Sequence, residues 1–537
     1  MSIRAVPTRL GGPSLAAAYM AGNPEVTPFF GADPRSLSAY RAQASRVAPR
    51  FPRPEREVVA SILHPASERA AERLERFVEG GGVVVTTGQQ TGLFTGPLYT
   101  VYKALSVVSL AAALERELGT IVLPVFWSAS EDHDWEEIDH AYLADFRGGV
   151  RRVDVAPSYP APLSAARRAL PDDFEHALEA VRQIVAGEEH AEDVLTWIRE
   201  AYREGSSFSD GFLRLIRCMF ARFDLLTIDA ADPILKRRSA PVLAAALEQA
   251  QAQEAAVALR TRAITDAGYA PQVAVLPDAA NLFLEDESGR RRLHRRGGGW
   301  RAHGSDRTRS TEELHEILRE SPEKISPNVL LRPVVESAVL PVVSYVGGPG
   351  EIAYFAQAAP LFEMYEGLRM PMIVPRASFV LLRSETQELL GSLGKRWSDL
   401  AAPEHRLARG VAREQLPPDA ADALAELRSG LVGGFGRVLS AAAEIDPTLA
   451  GSVGASRNAA LLEAARVEQK LLRAVQRLEA GRIRRMLSAR AELYPHGAPQ
   501  ERVLNVIPYL ARYGLPLFDQ ILTQITSPWQ STPEAGS

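Results

Sequence analysis

The sequence predicts an α/β protein: a mostly parallel sheet covered by helices, interrupted by insertions and followed by a long-helix arm. Three observations predict it. Short, nearly continuous apolar runs rich in β-branched residues recur at 83–85, 121–127, 225–228, 342–346 and 372–374, as expected of strands buried on both faces. Helical stretches such as 99–118 alternate with them, and that alternation builds crossovers between parallel strands. From 384 to about 492 the register changes to long segments rich in Ala, Leu, Glu and Arg.

At 537 residues the chain is longer than one ordinary domain, so a core with insertions is the expected organisation. With 46% hydrophobic and 24% charged residues, a sizeable core is feasible and disorder is not indicated. A net charge of -5 supplies no field that would draw nucleic acid or an anionic membrane. The N-terminal segment MSIRAVPTRLGGPSLAAAYMAG is broken by Gly and Pro, unlike a secretory leader, and no run of about 18 apolar residues is expected to span a bilayer. A cytoplasmic protein follows as the expectation. Cys218, the single cysteine, cannot form an internal disulfide and reads as a buried structural thiol in LIRCMF.

Residues 1–145 read as the first half of the core. In VVVTTGQQTGLFTGPLYTVYK (83–103) a strand ends, glycines let the backbone approach a ligand, and a helix begins with unpaired N–H groups and a positive dipole end. Gly88, Gln89, Gln90, Gly92, Thr95 and Gly96 are therefore candidate anion-binding positions, with Lys103 as a mobile cation. The spacing matches neither the dinucleotide fingerprint nor the P-loop, and the alternative is a turn that only packs strand on helix. The next strand runs into SASEDHDWEEIDH, where Asp132, His133 and Asp134 are candidate catalytic residues for holding or deprotonating an amine. A zinc site from His133, Asp134 and His140 lacks the one-turn histidine pair; no metal is expected. In the structural alternative, Asp132 or Asp134 caps a helix over 135–142.

Residues 146–215 read as a helical insertion, and 216–378 as the second half of the core with a further insertion at about 229–327. Within the latter, the basic run 290–296 reads as a solvated hairpin tip, with contact to an anionic ligand as the alternative. The strand at 342–346 leads into GGPGEIAYF, a second glycine turn opening a helix, so Gly347, Gly348, Gly350 and Glu351 join the candidate cofactor-binding set. Asn328, Arg332 and Arg376, near these loops in sequence, are candidate substrate contacts. For each arginine the alternative is an ion pair that fastens an insertion to the core. Ligands of open parallel sheets bind beyond the carboxyl ends of the strands, so four polar or glycine-rich loops are expected to meet at one edge.

Residues 379–494 read as the coiled-coil arm. Leu461, Ala464, Val467, Leu471, Val475 and Leu478 fall at three- and four-residue steps and are expected to share a seam. An antiparallel hairpin with a helix over 424–439 that also forms a homodimer satisfies that seam. The tail, 495–537, resumes an apolar pattern after a Pro/Gly break and is expected to pack back on the core.

Four segments carry a family resemblance: TTGQQTGLFTGPLYTVYKA, PVFWSASEDHDWEEIDH, SPNVLLRPVVESAVLPVVSYVGGPGEIAYF and PHGAPQERVLN. Together, and in this order across almost the whole chain, they resemble the cysteine-adding enzymes of bacillithiol biosynthesis, the BshC family. The resemblance implies a Rossmann-like core, a coiled-coil arm supporting a homodimer, and an amide-forming ligase that joins L-cysteine to the amine of glucosaminyl malate. Amide formation from a free acid requires activation, so ATP or another adenine nucleotide with Mg2+ is the implied cofactor. The sequence has no clean counterpart of the histidine-rich and lysine-rich signatures of class I nucleotide-activating enzymes. Two further readings remain open: a non-catalytic nucleotide-binding scaffold for the pathway, and metal-assisted amide hydrolysis at the EDHD cluster.

Overall fold

Buried β-branched runs build the centre of the molecule. A computed structural model describes residues 2–147, 149–156 and 162–530. Its main sheet has six strands in the order Met372–Pro375, Val342–Gly347, Gly82–Gln89, Ile121–Ser128, Leu226–Asp229 and His64–Pro65. The first five are parallel, and His64–Pro65 pairs antiparallel at the edge. Gly82–Gln89 and Ile121–Ser128 are buried along nearly their whole length, as expected of strands covered on both faces. All five expected strands are present; only the two-residue edge strand carried no signal in its sequence.

The crossover helix Leu98–Leu118 packs on this sheet and buries most of its length. By length and composition it could cross a membrane, with a mean hydropathy of 1.3 over its best window, against the expectation of no such segment. In the fold it is the core helix, with Val107, Leu110 and Leu114 in one cluster with Val83, Val85 and Val122.

The chain forms two compact units, residues 2–381 with 501–530, and Leu382–Gln500. In the first, two insertions differ from expectation. The segment expected to be helical from 146 opens with a hairpin, His140–Asp145 against Gly149–Asp154. Ala141, Leu143 and Val153 are buried beside Phe174, but the exposed Arg151, opposite Leu143 on that same face, and its neighbour Arg152 interrupt the period-two pattern, so the strand was masked in the sequence. Helices Phe174–Val185, Ala191–Ala201 and Phe208–Met219 follow. Cys218 is half-buried in the last of them, and burial pushes its thiol up.

The second insertion begins with helices Pro233–Glu248 and Ala250–Asp266. It continues as a five-stranded antiparallel sheet in the order Thr308–Arg309, Gly299–Ala302, Gly289–Arg296, Ala279–Asp286, Ile325–Pro327. The basic run 290–296 is therefore a strand within this sheet and not a hairpin tip. Arg290 and Leu293, on opposite faces of this strand, are both buried because each face is covered, while Arg296 at its end is exposed.

In the unit Leu382–Gln500, helices Pro418–Ile445 and Leu449–Leu478 form an antiparallel hairpin closed by Asp446, whose carboxylate accepts from Thr448 N and Oγ1. Leu472 and Val475 pack with Ala412, and Leu461 and Ala464 are half-buried along the same face. The expected single seam divides in two. Val467, Leu471 and Leu478 lie about a quarter turn around the helix and remain 46%, 38% and 83% exposed. The same unit is tied by a bidentate pair in which Arg383 donates to Glu492 at 2.8 and 2.7 Å.

Candidate active site

Parallel register places the strand ends side by side. Gln89 pairs with Ser128, Ser128 with Asp229, and Gly347 with Pro375, so the loops that follow all leave from one edge of the sheet. They line a cavity of about 680 Å³, within the usual range for a small-molecule site.

The first glycine loop meets the cavity only at its start. Gly88, Gln89 and Gln90 line it, whereas Gly92, Thr95 and Gly96 do not and are buried beneath the surface. A short 3-10 turn, Leu93–Thr95, intervenes, with Phe94 and Thr95 held at φ of 50° and 79°. The C-terminal return of the chain covers it: Asn505 Nδ2 donates to Phe94 O and Gly96 O at 2.7 Å, and Leu98 N donates to Leu504 O at 2.8 Å. The first N–H of the helix is thus taken by protein, while Tyr99 in its first turn lines the cavity. At Gly92 a Cβ would lie 3.1 Å from Gly96 Cα, so any side chain there crowds the loop backbone.

Lys103 reaches the cavity from the second turn of that helix but is not mobile. Its ammonium is buried, 2.5 Å from Glu351, and donates to Gly88 O at 2.8 Å and Gln89 Oε1 at 3.0 Å. Burial pulls its pKa below the ordinary lysine range, and Glu351 opposes the shift. Glu351 also accepts from Tyr345 OH at 2.5 Å and from Gly348 N at 2.7 Å, which closes the second glycine turn at the start of helix Pro349–Glu363. The Tyr345 oxygen in turn accepts from Gly88 N at 3.1 Å and Arg332 at 3.2 Å. A Cβ on Gly88 would lie 2.9 Å from that oxygen, so this position requires glycine to admit the tyrosine. Gly348, Gly350 and Glu351 line the cavity; Gly347, the last residue of its strand, lies behind it.

The acid cluster follows the Ile121–Ser128 strand. Asp132 accepts from Gln90 Nε2 at 2.6 Å and from His133 N at 2.7 Å, and both Asp132 and His133 line the cavity. Asp134 is exposed and lies outside the cavity lining. The expected helix over 135–142 is one turn, Trp135–Ile138; Asp134 makes no side-chain cap, and His140 begins a strand and pairs with Asp139 at 2.7 Å. Among the described residues, no group of three or more His, Cys, Asp or Glu side chains is arranged to hold a metal. Neighbouring Glu131 is held by the buried Lys236 at 2.5 Å.

The opposite wall comes from the antiparallel sheet. Phe283 and Arg292 are paired across the Ala279–Asp286 and Gly289–Arg296 strands, and Arg290 lies two residues from Arg292 on the same face. Arg290 stacks on Phe283 at 3.9 Å and donates to Ser326 Oγ at 2.8 Å, to Pro327 O at 3.0 Å and to His133 Nδ1 at 3.3 Å. Accepting there leaves His133 neutral with its proton on Nε2. Burial lowers the His133 pKa, and the Arg290 charge lowers it further.

Asn328 and both candidate arginines reach the cavity with partners of their own. Asn328 accepts from Leu330 N and Leu331 N at 3.0 Å and donates to Asn281 at 2.9 Å. Arg332 pairs with Glu336 one helical turn away at 2.9 Å, and Arg376 makes a bidentate pair with Glu501 at 2.8 and 2.7 Å. Sequence reasoning missed Tyr345 and Phe283, and reached Arg290 and Arg292 only through the alternative reading of the basic run 290–296 as a contact to an anionic ligand.

Fold and site together define a Rossmann-like α/β protein whose strand-end loops and inserted antiparallel sheet enclose one polar cavity. The family description "Bacillithiol biosynthesis BshC, N-terminal Rossmann-like domain" matches residues 1–377, and "Bacillithiol biosynthesis BshC, C-terminal coiled-coil domain" matches 379–530. The chain belongs to the bacillithiol biosynthesis BshC family. Relatives named "Putative cysteine ligase BshC" include proteins of Solibacter usitatus, 33% identical over 91% of each chain, and Salinibacter ruber, 33% identical over 96% of this chain and 95% of the relative. A third, from Geobacillus thermodenitrificans, is 30% identical over 86% of each chain. Residues 501–530, within the second match, belong in the fold to the unit that carries the sheet.

Proposed function

We propose that the chain is a ligase that joins the carboxyl group of L-cysteine to the amine of glucosaminyl malate. Its relatives' names support the cysteine ligase reading, and the cavity supports it chemically. The observation that carries it is the juxtaposition of Asp132, free to receive an amine on its cavity side, with the cationic wall at Arg290 and His133 between them.

An ammonium cannot attack an acyl carbon, so the amine must first lose a proton. Asp132 is the group to hold that amine and take the proton. His133 serves as a neutral hydrogen-bond donor, because a second proton on its ring would face the Arg290 guanidinium. The amine nitrogen then bonds to the cysteine acyl carbon, and the bond to the activating group breaks.

Carboxyl activation falls to an adenine nucleotide, a substrate of the reaction that brings Mg2+ with it. The donors that fit an anion on the glycine-turn side are Lys103 and the Gly348 N–H, and Glu351 is the resident anion there. Nucleotide phosphates at this corner must share or displace that carboxylate. A chemistry of small metabolites and nucleotide suits the cytoplasm.

The exposed stripe of Val467, Leu471 and Leu478 supports a homodimer through the helical hairpin, since an apolar face of this length on a two-helix unit is covered by association.

Purified protein incubated with cysteine, glucosaminyl malate and ATP, each omitted in turn, tests the reading by mass. The amide is expected only from the complete mixture; its absence there overturns the proposal.

A further inference from the structure

Among the described residues, one buried cation of the cavity, Arg290, has no carboxylate within ion-pair distance. Lys103 has Glu351, Arg332 has Glu336 and Arg376 has Glu501. Arg290 is 8% exposed, yet its hydrogen bonds go to a hydroxyl, a carbonyl and an imidazole, all neutral. The acids closest in charge effect are Glu131, Asp132 and Glu285. Each is engaged elsewhere: Glu131 with Lys236, Asp132 with Gln90, and Glu285 with Ser164 N and Arg167. Arg292 lines the cavity beside it, 5.4 Å from the same Phe283 ring, and among the described residues no carboxylate lies within ion-pair distance of either guanidinium.

A buried guanidinium without an anion is costly, and a ligand anion relieves that cost. The planar donor fork of arginine matches a carboxylate in two parallel hydrogen bonds, and Phe283 fixes the plane of Arg290 by stacking. On the other side of His133 stands Asp132, suited to an ammonium. A cation and an anion held apart by one imidazole, instead of pairing with each other, form a receptor for a small molecule that carries both charges.

We propose that Arg290 and Arg292 bind the carboxylates of the acceptor substrate, a glycoside with one amine and a dicarboxylate arm, and so set acceptor specificity. The inference deepens the ligase reading and rests on it for the identity of the acceptor. It moves the dicarboxylate contact from Arg332 and Arg376, whose charges are already matched, to the antiparallel sheet.

The test measures binding of glucosaminyl malate, its dimethyl ester and L-malate to full-length protein by calorimetry, and KM values where turnover is seen. The proteins compared are wild type, Arg290→Gln, Arg290→Lys and Arg292→Gln. Arg290→Gln is expected to weaken glucosaminyl malate about 10- to 100-fold, as for loss of a charged hydrogen-bond pair, with the KM of cysteine and nucleotide unchanged. Arg290→Lys recovers part of the loss, Arg292→Gln shows a smaller loss in the same direction, and the ester binds weakly and equally to all four. Unchanged acceptor affinity in both glutamine variants overturns the subsite, and so does a loss that falls on the nucleotide instead. Should Arg290→Gln not fold, Arg292→Gln and the ester comparison decide. Arginine-dependent acceptor binding without amide formation by wild type would remove the ligase reading and leave the subsite standing. Normal turnover with an unaltered acceptor KM in the variants would do the reverse.

Discussion

Arg376 and Glu501, 125 residues apart, form a buried bidentate ion pair at 2.8 and 2.7 Å that joins the tip of a core strand to the returning C-terminal segment. Ser378 Oγ donates to the same carboxylate at 2.9 Å, and Arg376 also lies over the Tyr99 ring at 5.5 Å. Removing one partner of such a pair strands the other charge in the interior. Glu501→Gln is expected to lower stability by about 3–5 kcal/mol, read from urea unfolding, and Glu501→Gln with Arg376→Met is expected to lose less than the single change. A single variant as stable as wild type would show the pair to be dispensable.

Lys103 and Glu351 couple the two glycine turns through one contact at 2.5 Å. A double-mutant cycle of Lys103→Met and Glu351→Gln is expected to give a coupling energy of about 1–3 kcal/mol in thermal unfolding. Additive losses would mean that each side chain is held by its other partners alone, Gly88 O and Gln89 for the lysine, Tyr345 and Gly348 N for the glutamate.

His133 has a depressed pKa in the folded chain because of burial and Arg290. Its neutral form is therefore native down to below about pH 6.5, where the unfolded chain already takes up a proton. The stability it contributes is complete above that pH and declines as pH falls toward the lower native value. Arg290→Gln is expected to raise the His133 titration midpoint, followed by NMR with His133→Gln to assign the signal. A midpoint at or above the ordinary histidine value in wild type would remove the Arg290 contact from the account.

Leu471 is 38% exposed on the apolar stripe of the long hairpin. Leu471→Glu with Val467→Glu is expected to convert a dimer to a monomer in sedimentation without altering helix content. Wild type that sediments as a monomer at micromolar concentration would remove the dimer from the proposal.

The strands were legible because burial on both faces favours short, nearly continuous apolar runs, as at 83–85 and 121–127. Glycine loops and the acid cluster were legible as the segments that follow those strands. Asp134, Gly92, Thr95 and Gly96 show the limit of that reading, since adjacency in sequence did not place them at the cavity. Nor did the basic run disclose its role, because one buried guanidinium in a row of arginines looks like any other until the partner strand supplies Phe283 beneath it.

By itself the sequence determined the α/β class, the parallel strands, the long helical hairpin and the edge at which the loops gather, all of which follow from local periodicity and turn chemistry. Only the tertiary structure decided which charges are matched and which are not. Glu501 and Glu351 neutralise Arg376 and Lys103 across separations that no local pattern encodes, Glu336 neutralises Arg332 one helical turn away, and Arg290 is left to face the cavity. The physical reason is that the cost of a buried charge depends on its neighbours in space, and folding, not composition, chooses them.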